Sequence, residues 1–192
     1  MIKGKKSIAE MHRLSVDAYR DTQKVPLVIV LDNVRSQHNV GAMFRTADAF
    51  GIQGLYLCGI TCCPPNAELH KTALGAEQTV DYTYCPHTVD AIRRLHEQGF
   101  EVYAIELAHD ALTLEEAINN YAQQAAQSRN PHPVALVLGH EVFGVADEVL
   151  ELCDQCIELP QYGTKHSLNV SVTAGIVMYA WANTLRTLIT DC

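Results

Sequence analysis

Two short runs, Val25 to Leu31 and Val134 to Leu138, are apolar at every position, with none of the polar alternation of a strand that has one wet face. A strand with that pattern must be covered on both sides, which is the condition of a parallel sheet sandwiched between helices. Each run passes through a polar turn into a helical pattern: Asp32 to His38 leads toward a helix through Ala42 to Phe50, and the glycine-flanked Gly139 to Gly144 leads into Ala146 to Leu152. The remaining segments alternate in the same way. Strands are expected over Leu55 to Cys58, Thr79 to Tyr84, Glu101 to Leu107 and Gln155 to Leu159. Helices are expected after Asn66, over Val89 to Gln98, from the capping box Thr113-Leu114-Glu115-Glu116 to Ala126, and from Leu168 onward. Strand and helix in alternation predict an α/β fold, a mostly parallel sheet with helices on both faces.

Residues 25–192 supply one core of this kind, and 192 residues suit one domain with a short extension. The extension is residues 1–24, where the capping box Ser7-Ile8-Ala9-Glu10 is followed by Met11, Leu14, Ala18 and Tyr19 at helical spacing. It holds six cations against three acids, +3, so the other 168 residues carry −11 of the net −8. The acidic body excludes a generally basic nucleic-acid binder, whereas the basic arm suits phosphate contacts as well as it suits a solvated helix face.

No apolar stretch follows the N-terminal lysines, so a secreted protein is not expected, and seven cysteines imply reduced thiols in the cytoplasm. Cys153-Asp154-Gln155-Cys156 has no second pair to complete a zinc site, and no metal is expected. His166 to Leu185 lacks Lys, Arg, Asp and Glu, but Ser167, Asn169, Ser171, Thr173 and Asn183 argue for a packed helix or a dimer face rather than a membrane span.

The entry to that last helix is chemically unusual. Ser167, Asn169 and Ser171 occupy alternate positions where a plain core helix would carry Leu or Ala. Ser167 as a helix cap explains part of this; a polar ligand met by the helix mouth explains all of it. Three segments then stand at the carboxyl ends of strands, where open α/β sheets bind ligands: Asn39-Val40-Gly41-Ala42-Met43-Phe44-Arg45, Gly139-His140-Glu141-Val142-Phe143-Gly144, and Ser167-Leu168-Asn169-Val170-Ser171. In order and spacing they resemble the three motifs of the SpoU (TrmH-like) branch of the SPOUT class of RNA 2′-O-ribose methyltransferases, and the resemblance spans about Val25 to Leu185.

That resemblance implies a deep C-terminal trefoil knot built from Val134 onward, with the loop Gln161 to His166 in it, and a homodimer packed through the C-terminal helix. It implies S-adenosylmethionine as cofactor, bound by Leu138, Gly139, Glu141, Ile157, Leu159, Ser167 and Leu168, with glycine at 139 letting the ligand approach the backbone. The partner implied is RNA, either tRNA or rRNA. Arg45, Asn39, Glu141, Ser167 and Asn169 would serve catalysis, and Arg45, Lys71, Lys165 and His166 would touch RNA. A guanidinium is a poor proton acceptor, so Arg45 is expected to hold a phosphate and stabilise the developing alkoxide. Asn39 fits either a positioning role or a helix cap, and Glu141 either a tether for Arg45 or a bond acceptor within the knot. No G-x-G-x-x-G follows the first strand, which removes a Rossmann cofactor site. A base methyltransferase of another SPOUT subgroup, a small-molecule methyltransferase and a non-catalytic knotted RNA-binding protein stay open as alternatives.

Overall fold

The computed structural model describes residues 4–5, 7, 9–11, 13–128 and 131–190. Lys3 and Lys6 of the basic extension and Ile8 of its capping box lie outside them. Seven strands form one sheet in the order β3-β2-β1-β6-β4-β7-β5, every pairing parallel. They are β1 (Val25–Asp32), β2 (Ile52–Cys58), β3 (Tyr82–Cys85), β4 (Glu101–Ile105), β5 (Leu112–Thr113), β6 (Val134–Leu138) and β7 (Gln155–Glu158). The two apolar runs lie side by side at its centre, in register from Leu27↔Val134 to Leu31↔Leu138.

Their uniform apolarity is explained by what covers them. Leu27, Ile29 and Leu31 of β1, with Val134, Leu136 and Leu138 of β6, pack under the helices α2 (Gln37–Phe50), α3 (Ala67–Ala73), α5 (Leu114–Ser128) and α7 (Val170–Thr190). Val28, Val30, Ala135 and Val137 face the other way, against α4 (Thr88–Glu97) and α6 (Asp147–Leu150). Each fully buried Leu, Ile or Val contributes about 1.5–3 kcal/mol, so this double coverage is the main stabilising term. No described helix is long and apolar enough to cross a membrane; α7 instead buries Ala174, Val177, Met178, Trp181 and Leu185 in the core. The Trp181 ring sits 5.0 Å from that of Tyr103 and 5.1 Å from that of Tyr121.

The expectations that changed are local. The Ser7–Glu10 capping box forms, but it opens only a 3₁₀ turn, Ala9–Met11. A separate five-residue helix, α1 (Val16–Arg20), follows with its own cap at Ser15, so the extension is not one amphipathic helix. The Thr113–Glu116 box also forms, and Leu112–Thr113 just before its helix adds β5, a two-residue strand beside β7 too short to leave a periodic signal. Helix α2 begins before Asn39, capped by Ser36, which removes the reading of Asn39 as the cap.

Two interactions position the carboxyl ends of the strands. Asp32, 2% exposed at the end of β1, accepts hydrogen bonds from Thr88 Oγ1 (2.5 Å), Asn33 Nδ2 (2.9 Å) and the Ala146 N–H (3.0 Å), joining β1 to the starts of α4 and α6. Gly41 lets α2 press onto α3, since a Cβ there would stand 2.2 Å from Leu69 O and Thr72 Oγ1. The glycine of the first motif is therefore a helix-packing residue.

Candidate active site

Beyond the carboxyl ends of β4, β6 and β7 lies a cavity of about 520 Å³, within the usual range for small-molecule sites. Ile105, Leu138, Ile157 and Leu159 form apolar walls, and Gln161 with His166 to Val170 closes the side where α7 begins. All seven residues expected at a cofactor site line it: Leu138, Gly139, Glu141, Ile157, Leu159, Ser167 and Leu168.

The loop after β6 is folded back on itself. His140 N–H donates to Gly144 O (2.9 Å) and Gly144 N–H to His140 O (2.8 Å). A Cβ on Gly139 would fall 2.1 Å from Gly144 C and 2.2 Å from both Gly144 O and Val145 N. This adds a second reason for glycine here: the chain's own backbone approaches Gly139 too closely to leave room for any side chain.

Glu106 closes the loop from the β4 side, accepting from the Leu107 N–H (2.9 Å) and the Val145 N–H (3.0 Å). Sequence reasoning passed over this cavity-lining carboxylate. The signal was present, a charged residue ending the apolar run Val102 to Ile105 at a strand's carboxyl end.

The three motifs meet through side chains. Glu141 Oε1 accepts from the Ser36 N–H (2.9 Å) and Asn39 Nδ2 (3.0 Å), and Oε2 from the Arg35 N–H (3.0 Å). A carboxylate only accepts, so Asn39 must turn its NH₂ toward Glu141 and its oxygen away. That oxygen accepts from Asn169 Nδ2 (3.2 Å). The Asn169 oxygen in turn accepts from the Ser171 N–H (2.8 Å) and Oγ (2.6 Å), capping α7. One negative charge thereby orients two amides in series. Ser167 lines the cavity and does not cap the helix; Asn169 does. Glu141 does not tether Arg45; it holds the loop before α2.

Burial pushes the Glu141 pKa up, but the donated hydrogen bonds from Arg35, Ser36 and Asn39 outweigh it and leave the carboxyl below its ordinary range. A lowered folded-state pKa stabilises the fold at pH above the unfolded value, and the contribution is lost as pH falls through the folded one. Denaturant titrations across the acid range should therefore show wild-type stability falling more steeply than that of Glu141→Gln. Parallel curves would mean the hub does not depend on the charge.

The other expected residues lie apart. Arg45 is exposed on α2, off the cavity wall, and its side chain makes no hydrogen bond or ion pair with the other described residues. Lys71 pairs with Glu68 at 2.6 Å on α3. Lys165 is exposed in the loop before α7, while His166 reaches the cavity wall. The Cys153 and Cys156 thiols donate to Val149 O and Glu106 O, and burial pushes Cys153 up to about 12.

Against known proteins, the SpoU rRNA methylase family profile matches residues 26–179. Over 172 residues, 88% of this chain and 64% of the relative, the chain is 32% identical to the 23S rRNA (guanosine-2′-O-)-methyltransferase RlmB of Vibrio parahaemolyticus. Over 170 residues it is 32% identical to the tRNA (guanosine(18)-2′-O)-methyltransferase of Thermus thermophilus, covering 88% of this chain and 81% of that one. The chain thus spans less than two thirds of the RlmB relatives from Vibrio and Neisseria (64% and 60%) but most of the Thermus enzyme. Among solved structures it resembles the A. aeolicus TrmH/SpoU tRNA modifying enzyme, with a TM-score of 0.74, 27% identity, and 90% of this chain and 83% of that one covered. It also resembles an AdoMet-bound rRNA methyltransferase from Sinorhizobium meliloti, with a TM-score of 0.73, 28% identity, and 86% and 59% covered.

Proposed function

The chain belongs to the SpoU rRNA methylase family, and from that premise we propose that it transfers the methyl group of S-adenosylmethionine to a ribose 2′-hydroxyl of tRNA or rRNA. The observation that carries this reading is the cavity, onto which residues of the second and third motifs converge while the first is bonded to it through Glu141. The residues present fit the cofactor: apolar side chains to enclose a purine, and backbone groups with the Glu106 carboxylate to accept from hydroxyl or ammonium donors. When bound, the cofactor supplies an electrophilic methyl on a sulfonium. The protein's part is to bind, orient and exclude water, through Leu138, Ile157, Leu159 and Leu168 at the walls and the Glu141–Asn39–Asn169 chain behind them.

Arg45 holds the target phosphate through its planar fork and stabilises the oxygen as its proton leaves. Because it stands off the cavity of its own chain, it has to be brought there by RNA or by a second copy. A homodimer through α7 is our reading of Val172, Ile176 and Tyr179, exposed at helical spacing along that helix. Lys71, Lys165 and His166 complete the RNA contacts in this reading, no metal takes part, and residues 1–24 form an extension to the methyltransferase domain of residues 25–192. We further read the chain from Val134 onward as the trefoil knot of the family, with the loop 161–166 in it, and we place the activity in the cytoplasm, where free thiols persist.

Incubation with methyl-labelled S-adenosylmethionine and unmodified tRNA and 23S rRNA transcripts, followed by nucleoside mass spectrometry, tests the proposal. A labelled 2′-O-methylnucleoside is expected, and the RNA carrying it identifies the substrate class. Label on a base would overturn ribose specificity. No transfer despite cofactor binding would favour the non-catalytic alternative.

A further inference from the structure

Phe143 is 83% exposed, on the loop that also carries Gly139, His140 and Glu141 of the cavity wall. Such exposure is ordinary at a mobile tip, but this loop is held on three sides. The His140–Gly144 backbone pair closes it, Glu106 binds the Val145 N–H, and Glu141 ties it to the loop before α2. The ring itself is also oriented. It lies 4.9 Å from the His140 ring at 35°, and the Val142 and Phe143 N–H groups donate to His140 Nδ1, which fixes the imidazole behind it. The result is a two-ring stack whose inner member lines the cavity and whose outer member opens to water.

We propose that Phe143, backed by His140, is the face on which the nucleobase of the target nucleotide stacks. The inference rests on the methyl-transfer reading above. A ribose whose 2′-hydroxyl enters the cavity carries its base no farther than a ring's breadth from the wall, and Phe143 is the aromatic surface held there. A flat aromatic face reads any base, as single-stranded RNA binding uses it, so the contact sets position and affinity rather than base identity. Neighbouring exposed apolar residues, Leu107, Val142 and Leu168, extend the same rim.

The test uses the full-length protein with the same transcript mixture. Phe143→Ala should raise the RNA KM by roughly 10- to 100-fold, the scale of one lost base–aromatic stack, with kcat nearly unchanged. Phe143→Trp should keep activity, and because the chain's one tryptophan, Trp181, is fully buried, that variant gains an exposed indole reporter. Its emission should be quenched when RNA is added. The quench needs no turnover, so a wild type that fails to methylate would sink the functional reading without hiding the result here. Wild-type KM in Phe143→Ala, or unquenched emission in Phe143→Trp, overturns the proposal. So does weaker binding of S-adenosylmethionine without RNA, which would assign Phe143 to the cofactor, or dissociation of a dimer, which would assign it to a partner subunit.

Discussion

Arg45→Ala should slow methyl transfer by about a hundredfold or more, the scale for removing one preorganised charge partner from a developing oxyanion. Affinity for S-adenosylmethionine should stay unchanged, because Arg45 does not line the cavity. Arg45→Lys should recover only part of the rate, since an ammonium keeps the charge and loses the bidentate fork. Single-turnover transfer at saturating cofactor, paired with calorimetric binding, separates the two quantities. An unchanged rate would discard the role given to Arg45, and a matching fall in cofactor affinity would move it into the binding site. Arg45 is well suited to such a test because its side chain is exposed and makes no hydrogen bond or ion pair with the other described residues, so its loss disturbs little of the fold.

Gly139→Ala should be the most disruptive single-methyl change in the molecule's centre. The added carbon would meet three backbone atoms at 2.1–2.2 Å, and backbone cannot rotate aside as a side chain can. Forcing the loop open costs about 3 kcal/mol or more, the upper range for overpacking, equivalent to a fall in Tm of roughly 6–12 °C for a domain of this size. The same opening breaks the His140–Gly144 pair, so cofactor affinity should fall at least tenfold. Gly163→Ala is the control: nothing stands within 4 Å of its added carbon, and both quantities should hold near wild type. Equal melting and binding for the two variants would remove the packing account of Gly139.

The central sheet could be read from the chain because β1 and β6 are apolar throughout, and only two-sided coverage explains that. The cavity walls were expected through the resemblance of the three motifs to the SpoU branch; topology added only that such motifs stand at strand ends, where open sheets bind ligands. What could not be read was partner choice across long separations. Nothing local says that Glu141 bonds to the amides of residues 35 and 36, about a hundred positions earlier, nor that Glu106 binds Val145. The packing demand on Gly139 was missed for the same reason, since its close neighbour is set by a loop closure invisible in the spacing. Asn169 took the cap from Ser167 because Gln161 to His166 runs as an open loop, which delays the helix to Val170.

The pairing of β1 with β6 also sets a timetable for synthesis. Leu27 finds its partner only at Val134, 107 residues later, and pairings of such high contact order form slowly. At the usual pace of translation, about 5–20 residues per second, β1 waits roughly 5–20 s for the strand that will occupy its second edge. During that interval its first edge can already be filled by β2, on which α2 packs, because both follow immediately in the chain. The nascent β1–α2–β2 unit therefore acts as the early shelter of a strand that, left bare, would offer a growing polypeptide its best place to aggregate.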